Sequence, residues 1–357
     1  MGIAGFGRSQ IKYDMFDLAR SAAEAKRLGK CERIYHRGQQ LAWDGKEILP
    51  MLLEEHGGVH LEAEKKKALE RIFAIIMWGE LAAWRISAQL ADRLVPLEAK
   101  MAATSQAMDE ARHFYVMHDY LQELGYKPAR LDRAPQALLD LVLDTDNLAY
   151  KLLGMQLQIE TMALTIFQTI RELRPEPVIA DLMPYYERDE ARHVGLGMQY
   201  LPSLMDGMSK RKLFALVLFQ CRVLFWALWE VKILAKDFEI LGVDPRVIVE
   251  RGRRKQLATL QEAFTAIGLD FNEQKNPVVQ ALNAGVEWFF PTEETRGSRS
   301  RRARAAVKAF LGSQQFAALE ELEVHASHAI RTARGVIAPG ERMEGTSEDA
   351  PDLRVVH

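Results

Sequence analysis

The 357-residue chain has only two cysteines, Cys31 and Cys221, and almost no net charge. Two distant cysteines are too few for a disulfide framework and too isolated for a zinc site or a redox pair. The formal charge of −2 provides no basic field for nucleic acid. The N-terminus lacks the basic start and apolar run of a secretory signal. These absences predict a cytoplasmic protein with no nucleic-acid partner.

Long uncharged apolar runs are also missing. The most apolar stretch, KLFALVLFQCRVLFWALWEVKIL, is interrupted by Arg222, Glu230 and Lys232. Its longest uncharged piece is far shorter than the roughly 20 residues that a helix needs to cross a bilayer. We therefore expect a buried core helix or a dimer-interface helix here and no membrane span. The pattern leaves the oligomeric state open, with a homodimer as one alternative.

Strand patterns are absent too, because apolar residues recur every three to four positions and rarely alternate with polar ones. This periodicity predicts an all-α protein. The predicted helices cover residues 9–28, 32–44, 61–93, 98–123, 136–172, 178–200, 209–240, 246–267, 274–289 and 300–333.

The chain contains the pentapeptide DEARH twice, at 109–113 and at 189–193. Glu and His stand three residues apart in each copy, so on a helix both side chains lie on one face. Each copy therefore offers a carboxylate and an imidazole to the same partner. The two pairs are Glu110 with His113 and Glu190 with His193.

A second carboxylate precedes each pair by thirty residues, Glu80 in the apolar segment IIMWGELAAW and Glu160 in QLQIETMALT. Pro96 and Pro175 lie near the midpoints of the two intervals and predict a turn there. Each unit is therefore expected to be a pair of antiparallel helices. Two such hairpins packed together form a four-helix bundle with four Glu and two His at its centre, a ligand set of two-metal carboxylate sites.

Ionised carboxylates among apolar side chains cost several kcal/mol each unless they are paired or bound to metal. We therefore predict a metal centre, and oxygen ligands with two imidazoles favour iron or manganese because thiolates are absent. Two Fe ions are expected, and a mixed Mn/Fe centre stays open. The predicted metal ligands, which are also the predicted catalytic residues, are Glu80, Glu110, His113, Glu160, Glu190 and His193.

The ligand spacing resembles the ferritin-like carboxylate-bridged di-iron superfamily, and the resemblance covers residues 61–205. The DExRH pentapeptides look like its O2-activating branch, which includes the hydroxylase subunits of bacterial multicomponent monooxygenases and the soluble acyl-carrier-protein desaturases. The resemblance implies that Asp109 and Asp189 accept hydrogen bonds from the liganding histidines of the opposite hairpin. It also implies that Arg112 and Arg192 hold these aspartates in place.

Several neighbouring families carry residues that this chain lacks. Met117 stands where ribonucleotide reductase small subunits have a radical tyrosine, and Ala82 and Met155 stand at the Val–Tyr cross-link of ligand-binding R2-like oxidases. Arylamine N-oxygenases add a third histidine in the last ligand helix, whereas the residue one turn before Glu190 in this chain is Tyr186. Leu164 takes the place of a threonine common in monooxygenase hydroxylases.

The resemblance implies a non-haem di-iron enzyme of monooxygenase or desaturase type that uses O2 as a cosubstrate on a small, largely apolar organic substrate. Because no flavin or nicotinamide fold is recognisable, an external donor such as a ferredoxin or a reductase would supply the electrons. The alternatives are an R2-like metal oxidase and a ferroxidase or metal-handling ferritin-like protein. The residues expected to line the substrate pocket are Ala83, Trp84, Gln156, Ala163, Leu164 and Phe167.

The predicted organisation has four segments. Residues 1–60 form N-terminal helices that pack on the bundle, and residues 61–205 form the bundle itself. Residues 206–335 extend the same domain with further helices, and this long extension favours an enzyme with a covered cavity over a storage protein. Residues 336–357 are rich in Pro, Gly and acids, which predicts a flexible tail.

Overall fold

The computed structural model describes residues 18–127, 130–266 and 276–312. These residues form helices and loops without a strand among them, so the predicted all-α fold is confirmed. The predicted tail at 336–357 lies outside the described residues. The helices are α1 (Leu18–Gln40), α2 (Gly45–His56), α3 (Ala63–Arg93), α4 (Leu97–Glu123), α5 (Arg133–Leu143), α6 (Leu148–Leu152), α7 (Glu160–Leu173), α8 (Pro177–Met205), α9 (Lys210–Ile233), α10 (Ala235–Ile240), α11 (Pro245–Ala266), α12 (Pro277–Phe289), α13 (Glu293–Arg296) and α14 (Arg299–Phe310).

Two helix hairpins form the centre of the fold. Helix α3 packs along α4, α7 packs along α8, and α4 contacts α8 between the hairpins. The first turn lies at Pro96, which precedes α4 directly. In the second turn, Arg174 has φ 47° and ends α7, and the Glu176 side chain accepts hydrogen bonds from the backbone N–H groups of Val178 and Ile179 at the start of α8.

The N-terminal helices cover the outside of the two hairpins. Helix α1 packs on α4 and α8, and α2 also contacts both. The predicted break near residue 30 is wrong, because α1 continues through it, and α2 was not predicted. Helix α2 has ordinary capping residues at both ends: the Asp44 side chain accepts a hydrogen bond from the Lys46 N–H, and Gly57 ends the helix with φ 69°. Pro50 lies inside this helix, and because proline usually ends or kinks a helix, the sequence did not predict α2.

The predicted continuous helix over 136–172 is wrong, because α5 ends at Leu143 and the next helix, α6, begins only after Asn147. The Asn147 side chain accepts from the N–H groups of the first residues of α6. Between α6 and α7, Leu153–Ile159 forms a π-helical segment with wider turns. Gly197 of α8 allows this segment to approach closely, since a Cβ there would lie 2.8 Å from the Gln156 Cβ.

The C-terminal helices cover the second hairpin and α3. Helix α9 packs against α5, the π segment and α12, while α10 contacts α3 and α11 contacts α7 and α8. Within the described residues, α9 is the one helix long and apolar enough to cross a membrane by length and composition, a test that core helices of soluble proteins also pass. The predicted helix over 209–240 is interrupted at Leu234, and the part of the last predicted helix beyond residue 312 lies outside the described residues.

Candidate metal centre

Six buried side chains from four helices converge at the centre of the paired hairpins. Helix α3 contributes Glu80, α7 contributes Glu160, and α4 and α8 contribute one Glu and one His each. Their ligand atoms form two groups of four, and within each group these atoms lie within 4.8 Å of one another. The first group is Glu80, Glu110, His113 and Glu190, and the second is Glu110, Glu160, Glu190 and His193.

Both histidine rings present the Nδ1 atom to the carboxylates. The Nδ1 atom of His113 lies 3.4 Å from Glu80 and 3.2 Å from Glu190. The Nδ1 atom of His193 lies 3.0 Å from Glu110 and 3.3 Å from Glu190. Because Glu110 and Glu190 belong to both groups, each is placed to bridge two cations.

The other ring nitrogen of each histidine faces an aspartate of the opposite hairpin. His113 Nε2 lies 3.1 Å from Asp189 Oδ2, and His193 Nε2 lies 3.3 Å from Asp109 Oδ2. A carboxylate that accepts the Nε2 proton leaves the Nδ1 lone pair free to bind a metal and fixes the ring orientation. The two aspartates therefore hold both histidines in the form that a metal requires.

Two arginines close the aspartates into a ring of charges. Arg112 donates to Asp109 and, over 2.8 Å, to Asp189. Arg192 donates to Asp189 over 2.7 Å and to Asp109 over 2.9 Å. Although burial opposes it, the charge of Arg192 and the hydrogen bond from His113 hold the pKa of Asp189 well below its usual range. The aspartates therefore remain ionised and able to accept the histidine protons.

Glu80 and Glu160 lack such compensation. Burial raises the pKa values of Glu80 and Glu160 well above the usual range, and neighbouring glutamates add to the effect. Against the effect of burial, the two histidines lower the pKa of Glu110. A site with four carboxyl groups and two imidazoles has too little positive charge to keep all four ionised. Two divalent cations would supply the missing charge.

Unpaired polar atoms provide an independent test of whether a metal fits. Glu110 Oε2, Glu160 Oε2 and His113 Nδ1 are buried, and no group among the described residues makes a hydrogen bond to them. Buried polar atoms without partners are rare in folded proteins and usually indicate a bound water or ion. Other buried atoms without partners lie outside the centre, such as Glu98 Oε2, but these three fall among the six converging residues. The residues present therefore fit a metal pair, and the arrangement is compatible with a ferritin-like di-iron fold.

Two amide side chains lie beside the second group of residues, and only one of them, Gln156, was named from the sequence. Gln106 Nε2 donates to Glu160 over 2.5 Å and to Glu110 over 3.1 Å, and Gln156 donates to Gln106 over 3.4 Å. Gln106 precedes Glu110 by one helical turn, so its position on the same face of α4 was a usable signal.

Aromatic side chains surround the first group. Tyr186 stacks on the His113 ring with 4.3 Å between ring centroids, and its hydroxyl donates to the His113 carbonyl over 2.8 Å. Trp43, in the loop between α1 and α2, donates to Asp189 over 2.7 Å and lies beneath the Arg112 guanidinium. No local pattern in the sequence indicates that Trp43 reaches the centre.

A cavity of about 50 Å³ adjoins the glutamates. Glu80, Glu110, Glu160 and Glu190 all line it, whereas neither histidine does. Its other walls are mostly apolar and come from α3, α5, the π segment and α7. The volume exceeds that needed for a single water, roughly 10–15 Å³. The carboxylate cluster therefore borders a mainly apolar cavity.

The cavity contains only two of the six side chains predicted to line a pocket, Ala83 and Ala163. Trp84 is 40% exposed on the surface, and the other three are buried outside the cavity. The π segment changes the register at Gln156: the Glu160 N–H donates to the Met155 carbonyl, five residues back, and Met155 lines the cavity where Gln156 was expected. The other two, Leu164 and Phe167, belong to the packing of α7.

No family model matches the chain, and no curated protein resembles it closely enough to count as a relative. The functional assignment therefore depends on the geometry and chemistry of the centre.

Proposed function

We propose that the six converging residues bind two iron ions and that the protein is a ferritin-like non-haem di-iron oxidoreductase. In this proposal it activates O2 and oxidises a small, mostly apolar organic substrate, as a monooxygenase or a desaturase does. Two overlapping ligand groups that share Glu110 and Glu190 support a dinuclear centre over two separate ions. The donor set of carboxylates and imidazoles without thiolates supports iron or manganese.

The cavity is the observation that carries the proposal from metal binding to substrate oxidation. A protein that only stores iron needs polar paths for hydrated ions, whereas an oxygenase needs an apolar space that excludes water beside the metals. Here all four glutamates border a mostly apolar space. The substrate would lie against the apolar side chains of α3, α5 and α7, next to the carboxylate cluster.

A bound, reduced iron pair would supply the electrons and open coordination positions that O2 chemistry needs. The protein's residues would have separate tasks around it. Asp109 and Asp189 accept hydrogen bonds from the histidine Nε2–H groups, and the two arginines keep these aspartates ionised. The apolar wall excludes water. After each turnover, an external ferredoxin or reductase would return the electrons.

The test combines metal loading with rapid mixing. The protein is loaded anaerobically with Fe(II), reduced, and mixed with O2 with and without small apolar compounds. We expect two irons per chain and an O2 reaction whose rate or product changes when a compound occupies the cavity. Iron accumulating beyond two per chain, with oxidation that no compound alters, would instead indicate a ferroxidase. Manganese analysis of the isolated protein distinguishes a mixed Mn/Fe centre.

A matched pair of variants connects this reactivity to the centre. Glu110→Gln removes the carboxylate that α4 contributes to the cluster, while Glu123→Gln removes an exposed carboxylate at the end of the same helix. The first change should abolish the O2 reaction, and the second should leave it unchanged.

A further inference from the structure

Glu230 of α9 is a fifth carboxyl group in the wall of the cavity. It is only 6% exposed. The four other charged residues in that wall are Glu80, Glu110, Glu160 and Glu190. In the sequence, Glu230 stood out only as a charge that interrupts an apolar run. The packing of α9 against α5 and the π segment brings it to the cavity.

Glu230 has no partner for its carboxyl group among the described residues, in contrast to Glu287, which accepts a hydrogen bond from Arg246. Burial alone raises the pKa of Glu230 to about 8, without a contribution from any charged neighbour. Glu230 belongs to neither of the two groups of converging ligand atoms. Glu230 marks a polar point of the cavity that is separate from the metal centre.

A buried carboxyl group without a partner is costly, and folded proteins normally pair such groups with a cation or a hydrogen-bond donor. The described residues supply neither, which leaves a ligand in the cavity able to supply both. The surroundings select its chemistry. A partner for Glu230 must carry a cation or a hydrogen-bond donor, and the apolar side chains of the wall favour a hydrocarbon body.

We propose that Glu230 binds the ammonium group of an apolar primary amine, and that such an amine is the substrate class of this cavity. This inference rests on the proposed function, because the same cavity borders the glutamates of the metal centre. An ammonium group supplies both the positive charge and the hydrogen-bond donors that the carboxylate lacks. The hydrocarbon part of the amine would occupy the apolar space between Glu230 and the centre.

The test compares two probes of equal length, n-pentylamine and n-pentanol, by calorimetric titration of the intact protein at pH 7 without O2. We expect the amine to bind at least about tenfold more tightly than the alcohol, since hydrogen bonds to charged groups contribute more than neutral ones. Binding of the amine should also release about one proton to the buffer, because Glu230 ionises as it pairs. Titrations in two buffers of different ionisation enthalpy measure this proton.

Three variants decide the result. Glu230→Gln keeps the shape of the side chain and should remove both the preference for the amine and the proton release. Glu239→Gln alters an exposed glutamate on the adjoining α10 and should preserve both. If the Gln variant does not fold, Glu230→Met replaces it with an apolar chain of similar length. Undiminished amine binding by the folded Gln or Met variant, or equal affinity for pentanol in the unaltered protein, would overturn the proposal.

The outcome separates this inference from the proposed function. Suppose that amine binding depends on Glu230 but that no ligand alters the reaction of the bound iron with O2. This result would contradict the oxygenase proposal and support the amine site. An O2 reaction altered by apolar compounds, together with amine binding that ignores Glu230, would contradict only the amine site.

Discussion

The two hairpins repeat one chemical motif but differ in backbone and surroundings. Both supply a Glu and, thirty residues later, a Glu and a His one turn apart, with an Asp directly before that Glu and an Arg directly before the His. The α3 and α4 hairpin consists of two unbroken helices, whereas a π segment precedes Glu160 in the other. Such π segments occur frequently at functional sites, because they shift side chains relative to the regular helix.

The surroundings of the two ligand groups differ even more. Aromatic side chains, Trp43 and Tyr186, flank His113 and its aspartate. On the other side, the amide of Gln106 contacts Glu160. The repeat thus determines which ligands are present, and residues outside the repeat determine how each half behaves. We therefore expect two metal positions with different affinities.

The largest effect is expected from a residue that both groups share. Glu110→Gln removes a carboxylate that belongs to both ligand groups, so both metals should be lost. Elemental analysis of the purified variant should give less than about a tenth of the metal of the unaltered protein, because a broken buried charge cluster costs several kcal/mol. Retention of one full metal would show that Glu110 does not bridge the positions.

Variants of the unshared ligands should separate the two halves. Glu80→Gln removes a ligand of the first group only, and Glu160→Gln removes one of the second only. Each should therefore retain about one metal per chain, in different environments. Anaerobic Fe(II) titration followed by Mössbauer spectroscopy distinguishes them. Identical spectra from the two variants would contradict the inequivalence of the halves.

The aspartates should have intermediate effects. Asp189→Ala removes the acceptor for His113, and Asp109→Ala removes the acceptor for His193. Each should weaken metal binding about 10 to 100-fold, mainly at the position of its own histidine. Competition titrations with a chelator measure the loss. An equal loss at both positions would indicate that the aspartates act only through the shared ring of arginines.

The smallest effects should come from residues particular to one half. Trp43→Phe removes one hydrogen bond to Asp189 and keeps an aromatic ring beneath Arg112. Gln106→Leu removes the amide that contacts Glu160. Each should weaken its own metal position roughly 2 to 10-fold, as expected for one hydrogen bond. The same chelator titrations measure both losses. Weakening by Trp43→Phe at the Glu160 position, or by Gln106→Leu at the His113 position, would contradict this assignment.

Local sequence patterns were sufficient for the hairpins. The apolar period placed α3, α4 and α8 within a few residues, and the repeated thirty-residue spacing identified six side chains that converge in the structure. These features depend on helix geometry within a short segment. The identity of the metal and the reaction depend on chemistry that neither spacing nor helix geometry contains.

Features that depend on contacts between distant segments could not be predicted. Trp43 reaches the centre because its loop packs over α4 and α8, and Glu230 faces the cavity because α9 crosses α5 and the π segment. The π segment itself has an ordinary apolar helical sequence, LGMQLQI. Its wider turn displaced the predicted pocket from Gln156 to Met155.

The central claim is that one chain holds two metals in a single centre with shared carboxylates. X-ray absorption spectroscopy of the protein loaded with Fe(II), together with metal analysis, tests it most directly. The account predicts two irons per chain and an iron–iron separation of roughly 3.5–4 Å, as in two-metal sites. One iron per chain, or two irons without a detectable iron neighbour, would contradict it.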